Sequence, residues 1–198
     1  MESIEIGKKY DKIADMWNET HQSSTYGINQ LLKALSFCTN HDRALDVGCG
    51  AGGRFIRLLQ EKEFAATGID VSERMIKLAS ENHPDIEFIL ADICMWKSDK
   101  KFDLILAWDS IFHLPLVQHE NVLSKLCNML SKDGIMIYTI GDAIGEHTDQ
   151  WLNDTFYYSS LGITANLRIL SANNVECKHL ELDQFPLNHV YIIGKKIS

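Results

Sequence analysis

Apolar residues along this chain alternate between two periodicities, and that alternation predicts the architecture. Residues 8–19 place Tyr10, Ile13, Ala14 and Trp17 at spacings of three and four, which gives one apolar helical face. Residues 28–38 repeat the pattern. A short strand over 44–47 then runs into glycines, and a helix over 53–62 turns Phe55, Leu58 and Leu59 inward. Ala65–Asp70 is a second strand, and Ser72 is placed to cap a helix reaching about Asn82. Strands follow over 86–91 and 102–108, the latter almost unbroken in apolar character and therefore buried on both faces. An amphipathic helix spans 118–131, and Asp133-Gly134 turns the chain into a strand over 135–140. Residues 141–160 read as a looser, aromatic-rich segment. A final helix carries Ile163, Leu167 and Leu170, and strands over 175–182 and 190–193 close the chain as an antiparallel hairpin.

Alternating strands and helices predict a parallel sheet covered on both faces. In such sheets ligands bind beyond the carboxyl ends of the strands. The functional positions are therefore expected near 46–50, 70, 92, 108–113 and 139–142.

The stretch Leu45-Asp46-Val47-Gly48-Cys49-Gly50-Ala51-Gly52-Gly53 is the most informative. Glycines let a ligand approach the backbone, and the helix that follows offers unpaired N–H groups and a positive dipole end. Gly48, Gly50 and Gly53 fit the dinucleotide pattern G-x-G-x-x-G, a weak signal alone. Asp70 strengthens it, because an acid ending the next strand can accept hydrogen bonds from ribose hydroxyls. Nicotinamide or flavin dinucleotides and S-adenosylmethionine both answer this description. Asp46 favours the latter, since it would repel a pyrophosphate and attract the ammonium of a methionine tail. So do the two helices before the glycine strand and the lack of a second domain for a hydride acceptor.

The ordered motif set over residues 10–195 resembles the class I S-adenosylmethionine-dependent methyltransferases, in particular the compact small-molecule type. LDVGCGAGG resembles the family's first motif, GIDVSERMI (68–76) its second, and LADI (90–93) its third. FDLILAWDSIFHLP (102–115) and LSKDGIMIYTIGD (130–142) resemble its fourth and fifth strands. The resemblance implies an α/β fold, a Rossmann-like three-layer sandwich. Its seven-stranded, mostly parallel sheet has order 3-2-1-4-5-7-6 with strand 7 antiparallel. It implies one domain over 1–198 with a helical cap over 1–40. The cofactor implied is S-adenosylmethionine, released as S-adenosylhomocysteine. Its contacts would come from Asp46, Gly48, Cys49, Gly50, Asp70, Val71, Met75, Ala91, Asp92, Ile93 and Trp108. Asp92 would meet the adenine amino group and Ile93 its ring. Tyr10 and Trp17 would close over the methionine end, with Tyr10 bonding the carboxylate and aromatic faces attracting the sulfonium.

Methyl transfer asks the protein mainly to align the nucleophile and exclude water. His113, just past the fourth strand, is the candidate base if one is used, and Asp109 the candidate anchor for a cationic or hydroxylated acceptor. His147, Trp151, Tyr157 and Tyr158 make 141–160 a candidate substrate lid. The alternatives are a nicotinamide-dependent oxidoreductase and a non-catalytic S-adenosylmethionine-binding protein.

Composition narrows the partners. The net charge of −8 disfavours nucleic acid. The loop Asp109-Ser110-Ile111-Phe112-His113 also differs from the Asn/Asp-Pro-Pro-Tyr/Phe tetrapeptide of nucleobase-methylating enzymes. The expected partner is a small-molecule substrate, and the expected state a monomer or homodimer. Five scattered cysteines and eight histidines without ligand spacing predict neither a disulfide framework nor a metal site. No apolar run approaches the roughly 18 residues of a membrane span. MESIEIGKKYDK lacks the apolar core of a secretory signal, which predicts a cytoplasmic location.

Overall fold

The computed structural model describes residues 1–197. Its elements run α1 (Ser3–His21), α2 (Ile28–Leu35), β1 (Arg43–Val47), α3 (Arg54–Glu61), β2 (Ala65–Asp70), α4 (Glu73–Asn82), β3 (Glu87–Leu90) and β4 (Phe102–Ala107). After two single turns of 3-10 helix come α5 (His119–Met129), β5 (Leu130–Gly141), β6 (Ile144–Trp151) and β7 (Asp154–Leu161). The chain closes with α6 (Gly162–Ala172), β8 (Val175–Leu182) and β9 (His189–Lys196).

Seven strands form one sheet in the order β3-β2-β1-β4-β5-β9-β8. β1 to β5 pair in parallel, while β9 is antiparallel to both β5 and β8. This is the order expected from the resemblance once β6 and β7 are set aside. Alternation within the strands explains the three layers. In β4, Leu104 and Leu106 pack with α2 and α3, whereas Ile105 and Ala107 pack with α5 and α6. In β5, Ile135 and Ile137 face the first pair of helices, and Met136, Tyr138 and Ile140 face the second. Each sheet face is thus buried by its own pair of helices, as a parallel sheet requires.

Residues 141–160 correct the sequence reading. They form an antiparallel hairpin of their own, β6 with β7, joined by Leu152 and Asn153, both in the left-handed region. Positive φ at both turn residues matches the twist of the strands. β6 is exposed along seven of its eight residues, so it carries no alternating apolar pattern to announce a strand. The hairpin packs through β7, where Phe156 and Tyr157 meet Ile6 of α1. Among the described residues no helix is long and apolar enough to cross a membrane.

Candidate functional site

The strand order reverses between β1 and β4, and a deep cavity opens there. Asp46 to Ala51, Ile69 to Val71, Met75 and Ala91 to Ile93 line one part of it. Tyr26, Arg54, Phe55 and Trp108 to Ser110 line another, and α1 contributes Tyr10, Trp17 and His21. The thirteen positions named for the cofactor all border this single cavity.

The glycine loop is held from behind. Gly48 and Cys49 donate their N–H groups to the Ile69 carbonyl at 2.8 and 3.1 Å. Gly50 donates to Asp70 Oδ2 at 2.9 Å, while Asp70 Oδ1 accepts from the Ser72 N–H at 2.8 Å. One carboxylate therefore ties the loop after β1 to the start of α4. Burial raises the Asp70 pKa, and the hydrogen bonds from Ser72 and Gly50 oppose that rise. Gly50, at φ 54°, has no atom nearer than 3.7 Å to where a Cβ would stand. Its bare face looks into the cavity.

Asp46 is 3% exposed and accepts no hydrogen bond from a described side chain. Burial pushes its pKa up to about 7, opposed by the charge of Arg54 and reinforced by that of Asp70. A buried carboxylate without partners is unfavourable unless a cation or donor arrives to meet it. Asp92 is less isolated, since its Oδ1 accepts from the Cys94 N–H at 2.8 Å.

α1 lies across the cavity and is fastened on both sides. Asp11 Oδ1 accepts from the Ser72 hydroxyl at 2.6 Å and from the Arg74 N–H at 3.0 Å, at the start of α4. Lys9 and Lys12 pair with Asp154 of β7 at 2.5 and 2.8 Å. From this helix Tyr10 reaches His113, with Oη 3.0 Å from Nε2. The other ring nitrogen of His113 donates to the Tyr157 carbonyl at 2.7 Å. Burial pushes the His113 pKa down to about 4, so the ring is neutral near pH 7. Both of its nitrogens are engaged.

The four substrate-lid positions lie elsewhere. His147, Trp151, Tyr157 and Tyr158 do not border the cavity. Trp151 packs edge-on against Trp17, Tyr157 anchors His113 through its carbonyl, and His147 stacks on Tyr158. They stand behind α1 because β7, not β6, faces the domain and meets that helix first.

On the other side of the cavity, Asp109 follows β4 with φ 49°, and its N–H donates to Thr139 Oγ1 at 2.8 Å. Its Oδ1 accepts from His189 Nε2 at 2.9 Å, and His189 Nδ1 donates to Asp183 Oδ1 at 2.6 Å. Burial lowers the His189 pKa, but the bonds and charges of the two carboxylates outweigh it and leave it raised.

Comparison with known proteins agrees with this geometry. Residues 44–134 match a family model described as a methyltransferase domain. A trans-aconitate 2-methyltransferase from Escherichia coli is 35% identical over 118 residues, which are 59% of this chain and 43% of that protein. The chain thus matches less than half the length of such relatives. The N-methyltransferase NodS of Bradyrhizobium japonicum, solved with S-adenosylhomocysteine, aligns over 100% of both chains with a TM-score of 0.72 and 16% identity. Residues 44–134 are thus similar to a methyltransferase domain, and the chain has the fold of the methyltransferase NodS. The same fold also serves the [4+2]-cyclase SpnF, which aligns over 100% of this chain and 97% of its own, with a TM-score of 0.76 and 15% identity.

Several residues at the cavity or directly behind Asp109 carry no signal in the sequence alone. His189 and Asp183 come from the far end of the chain and meet Asp109 only because β9 inserts beside β5. Tyr26 and Arg54 also border the cavity, with the Arg54 guanidinium 5.4 Å from the Tyr26 ring centroid. The position of Arg54, at the start of the helix after the glycine loop, was the one available clue.

Proposed function

We propose that this domain binds S-adenosylmethionine and transfers its methyl group to a small-molecule acceptor. The observation that carries the reading is Asp46, a carboxylate only 3% exposed that lines the cavity just before the glycine loop and makes no side-chain hydrogen bond among the described residues. An ammonium satisfies it, and a pyrophosphate would not. In this reading Asp70 takes the ribose hydroxyls, Asp92 and Ile93 take the adenine, and the methionine tail lies along Gly50; all four residues line the same cavity, which supports it. Once bound, the sulfonium supplies an electrophilic methyl, and the carbon–sulfur pair returns to sulfur as the nucleophile–carbon bond forms.

The chain's own part is alignment and exclusion of water. α1 covers the cavity, and Tyr10 and Trp17 present aromatic surface on its inner side. His113 enters through Tyr10, not as a base in its own right, because Tyr10 occupies its free lone pair. Of the carboxylates that border the cavity, we assign Asp109, past the end of β4, to take the proton lost by the nucleophile.

Calorimetric titration with S-adenosylhomocysteine tests the cofactor half; no heat up to millimolar ligand would refute it. A radiolabelled-methyl assay on a metabolite extract tests transfer. Cofactor binding with no transfer to any metabolite would favour a non-methylating role, for which the cyclase neighbour is the precedent.

A further inference from the structure

The charged groups lining the cavity are unbalanced. Asp46, Asp70, Asp92 and Asp109 border it, and among the described residues Arg54 is the one lysine or arginine that does. His21 and His113 add no charge near pH 7, because burial lowers the pKa of each. S-adenosylmethionine brings one net positive charge, from its ammonium, sulfonium and carboxylate. The bound cavity stays negative. A carboxylate-rich acceptor would enter an unfavourable field, whereas an amine would enter a favourable one.

Asp109 is where that field is aimed. Its left-handed backbone and the Thr139 bond fix the main chain. Its side chain is 32% exposed, while His189 behind it is 14% and Asp183 5%. Both His189 nitrogens face carboxylate oxygens, so both carry protons. Asp183 is in turn held by Gln30 Nε2 at 3.0 Å. The row Gln30, Asp183, His189, Asp109 pins one oxygen of Asp109, and the Tyr26 hydroxyl stands beside the same carboxylate on the cavity wall. Beside it stands Trp108, 5% exposed, whose buried indole N–H has no hydrogen-bond partner. Tyr26, Phe55 and Trp108 form an aromatic wall around the same space.

We infer that Asp109, positioned by His189 and Asp183, docks the methyl acceptor and selects a small alkylamine, cationic near pH 7, over polycarboxylates such as trans-aconitate. The inference rests on the proposed methyl transfer. It also sets this domain apart in acceptor class from the curated relatives that it matches over half of its length.

The test is calorimetric and needs no turnover. The protein is first titrated with S-adenosylhomocysteine, then, saturated with it, with tyramine, histamine, putrescine and trans-aconitate. We expect at least one amine to bind and trans-aconitate to bind more weakly than that amine. Asp109→Asn should weaken the amine about tenfold or more while leaving S-adenosylhomocysteine affinity unchanged. His189→Phe should lose as much, and His189→Gln, which keeps a donor toward Asp109, should recover part of it. If His189→Phe no longer binds S-adenosylhomocysteine, Asp183→Asn serves in its place, with a smaller loss expected. Tighter binding of trans-aconitate, silence from all three amines, or an indifferent Asp109→Asn overturns the selection. Equal affinities in His189→Phe and wild type overturn the positioning role. Failure of S-adenosylhomocysteine itself refutes the methyltransferase reading at the first step, and is thereby distinguished.

Discussion

Tyr10 Oη lies 3.0 Å from His113 Nε2, and the direction of that hydrogen bond is fixed by a third residue. The Tyr157 carbonyl, 2.7 Å from Nδ1, can only accept, so the ring's proton sits on Nδ1. Nε2 is then a bare acceptor and Tyr10 donates to it. Tyr10 consequently faces the cavity with oxygen lone pairs alone. It would reach a methionine carboxylate only by giving up His113. Tyr10→Phe leaves a buried acceptor unpaired, which costs about 1–3 kcal/mol. Because the two groups form one unit, Tyr10→Phe and His113→Phe should be non-additive by about 1 kcal/mol in urea unfolding. Additive losses would mean the pair is not formed in solution.

His113 also gives a pH signature. Its folded pKa, about 4, is below the ordinary 6.5, so the unfolded chain binds the proton more readily between these values. The stability it contributes is complete above pH 6.5 and is lost as pH falls toward 4. His113→Asn should flatten the acid side of the stability profile in that window. An unchanged slope would show that the ring is not buried.

Asp46 works in the opposite sense. Its folded pKa of about 7 exceeds the ordinary 3.8, so the apo protein loses stability as pH rises between those values. At about 1.4 kcal/mol per unit the loss is on the order of 4 kcal/mol by pH 8. Asp46→Asn should therefore raise the melting temperature of the apo protein at pH 8 and abolish S-adenosylhomocysteine binding. In the wild type, cofactor affinity should increase through pH 6 to 8, with proton release visible as a buffer-dependent heat. A variant that melts lower, or binds as before, would remove Asp46 from the ammonium site.

What the sequence disclosed, and what it withheld, follows from how far apart the partners lie. Asp70 and the glycine loop were legible because spacing within one strand-turn-helix unit is a local property. Ser72 was legible as a cap for the same reason, and its Oγ accepts from the Met75 N–H at 3.1 Å. The β6–β7 hairpin was not, because β6 is bound to the protein along one edge only and has no buried face to pattern. Tyr10 and His113 were each singled out, yet their pairing spans 103 residues and depends on the angle at which α1 crosses the sheet. Asp109 and His189, 80 residues apart, meet through the insertion of β9 between β5 and β8. That order is a global feature that no local pattern encodes.

The hairpin should support α1, the helix that covers the cavity. Phe156 is fully buried against Ile6, with Tyr10 and Trp151 packed around it. Phe156→Ala removes that packing and should cost about 3–5 kcal/mol. Because α1 rests on this cluster, its amides should exchange faster in the variant, and S-adenosylhomocysteine should dissociate faster, while the glycine loop is unchanged. Unaltered exchange in α1 would mean that its contacts with α4 alone hold it over the cavity.

Gly48 and Gly50 both have positive φ, 75° and 54°, but they face different surroundings, and alanine should separate their roles. A Cβ on Gly48 would stand 2.3 Å from Ser110 Cβ, on the loop after β4. Gly48→Ala must push that loop away, so it should destabilise the fold and move Asp109 as well. Adding Ser110→Gly removes the clash and leaves only the backbone strain, about 1–2 kcal/mol, so the double variant should regain part of the lost stability. A Cβ on Gly50 meets nothing nearer than 3.7 Å. Gly50→Ala should therefore carry only the backbone penalty in stability, yet weaken S-adenosylhomocysteine strongly, because the methyl occupies the space on the cavity side. Thermal melts with and without ligand distinguish the two. Should Gly50→Ala bind as tightly as the wild type, the methionine tail cannot lie along that face of the loop.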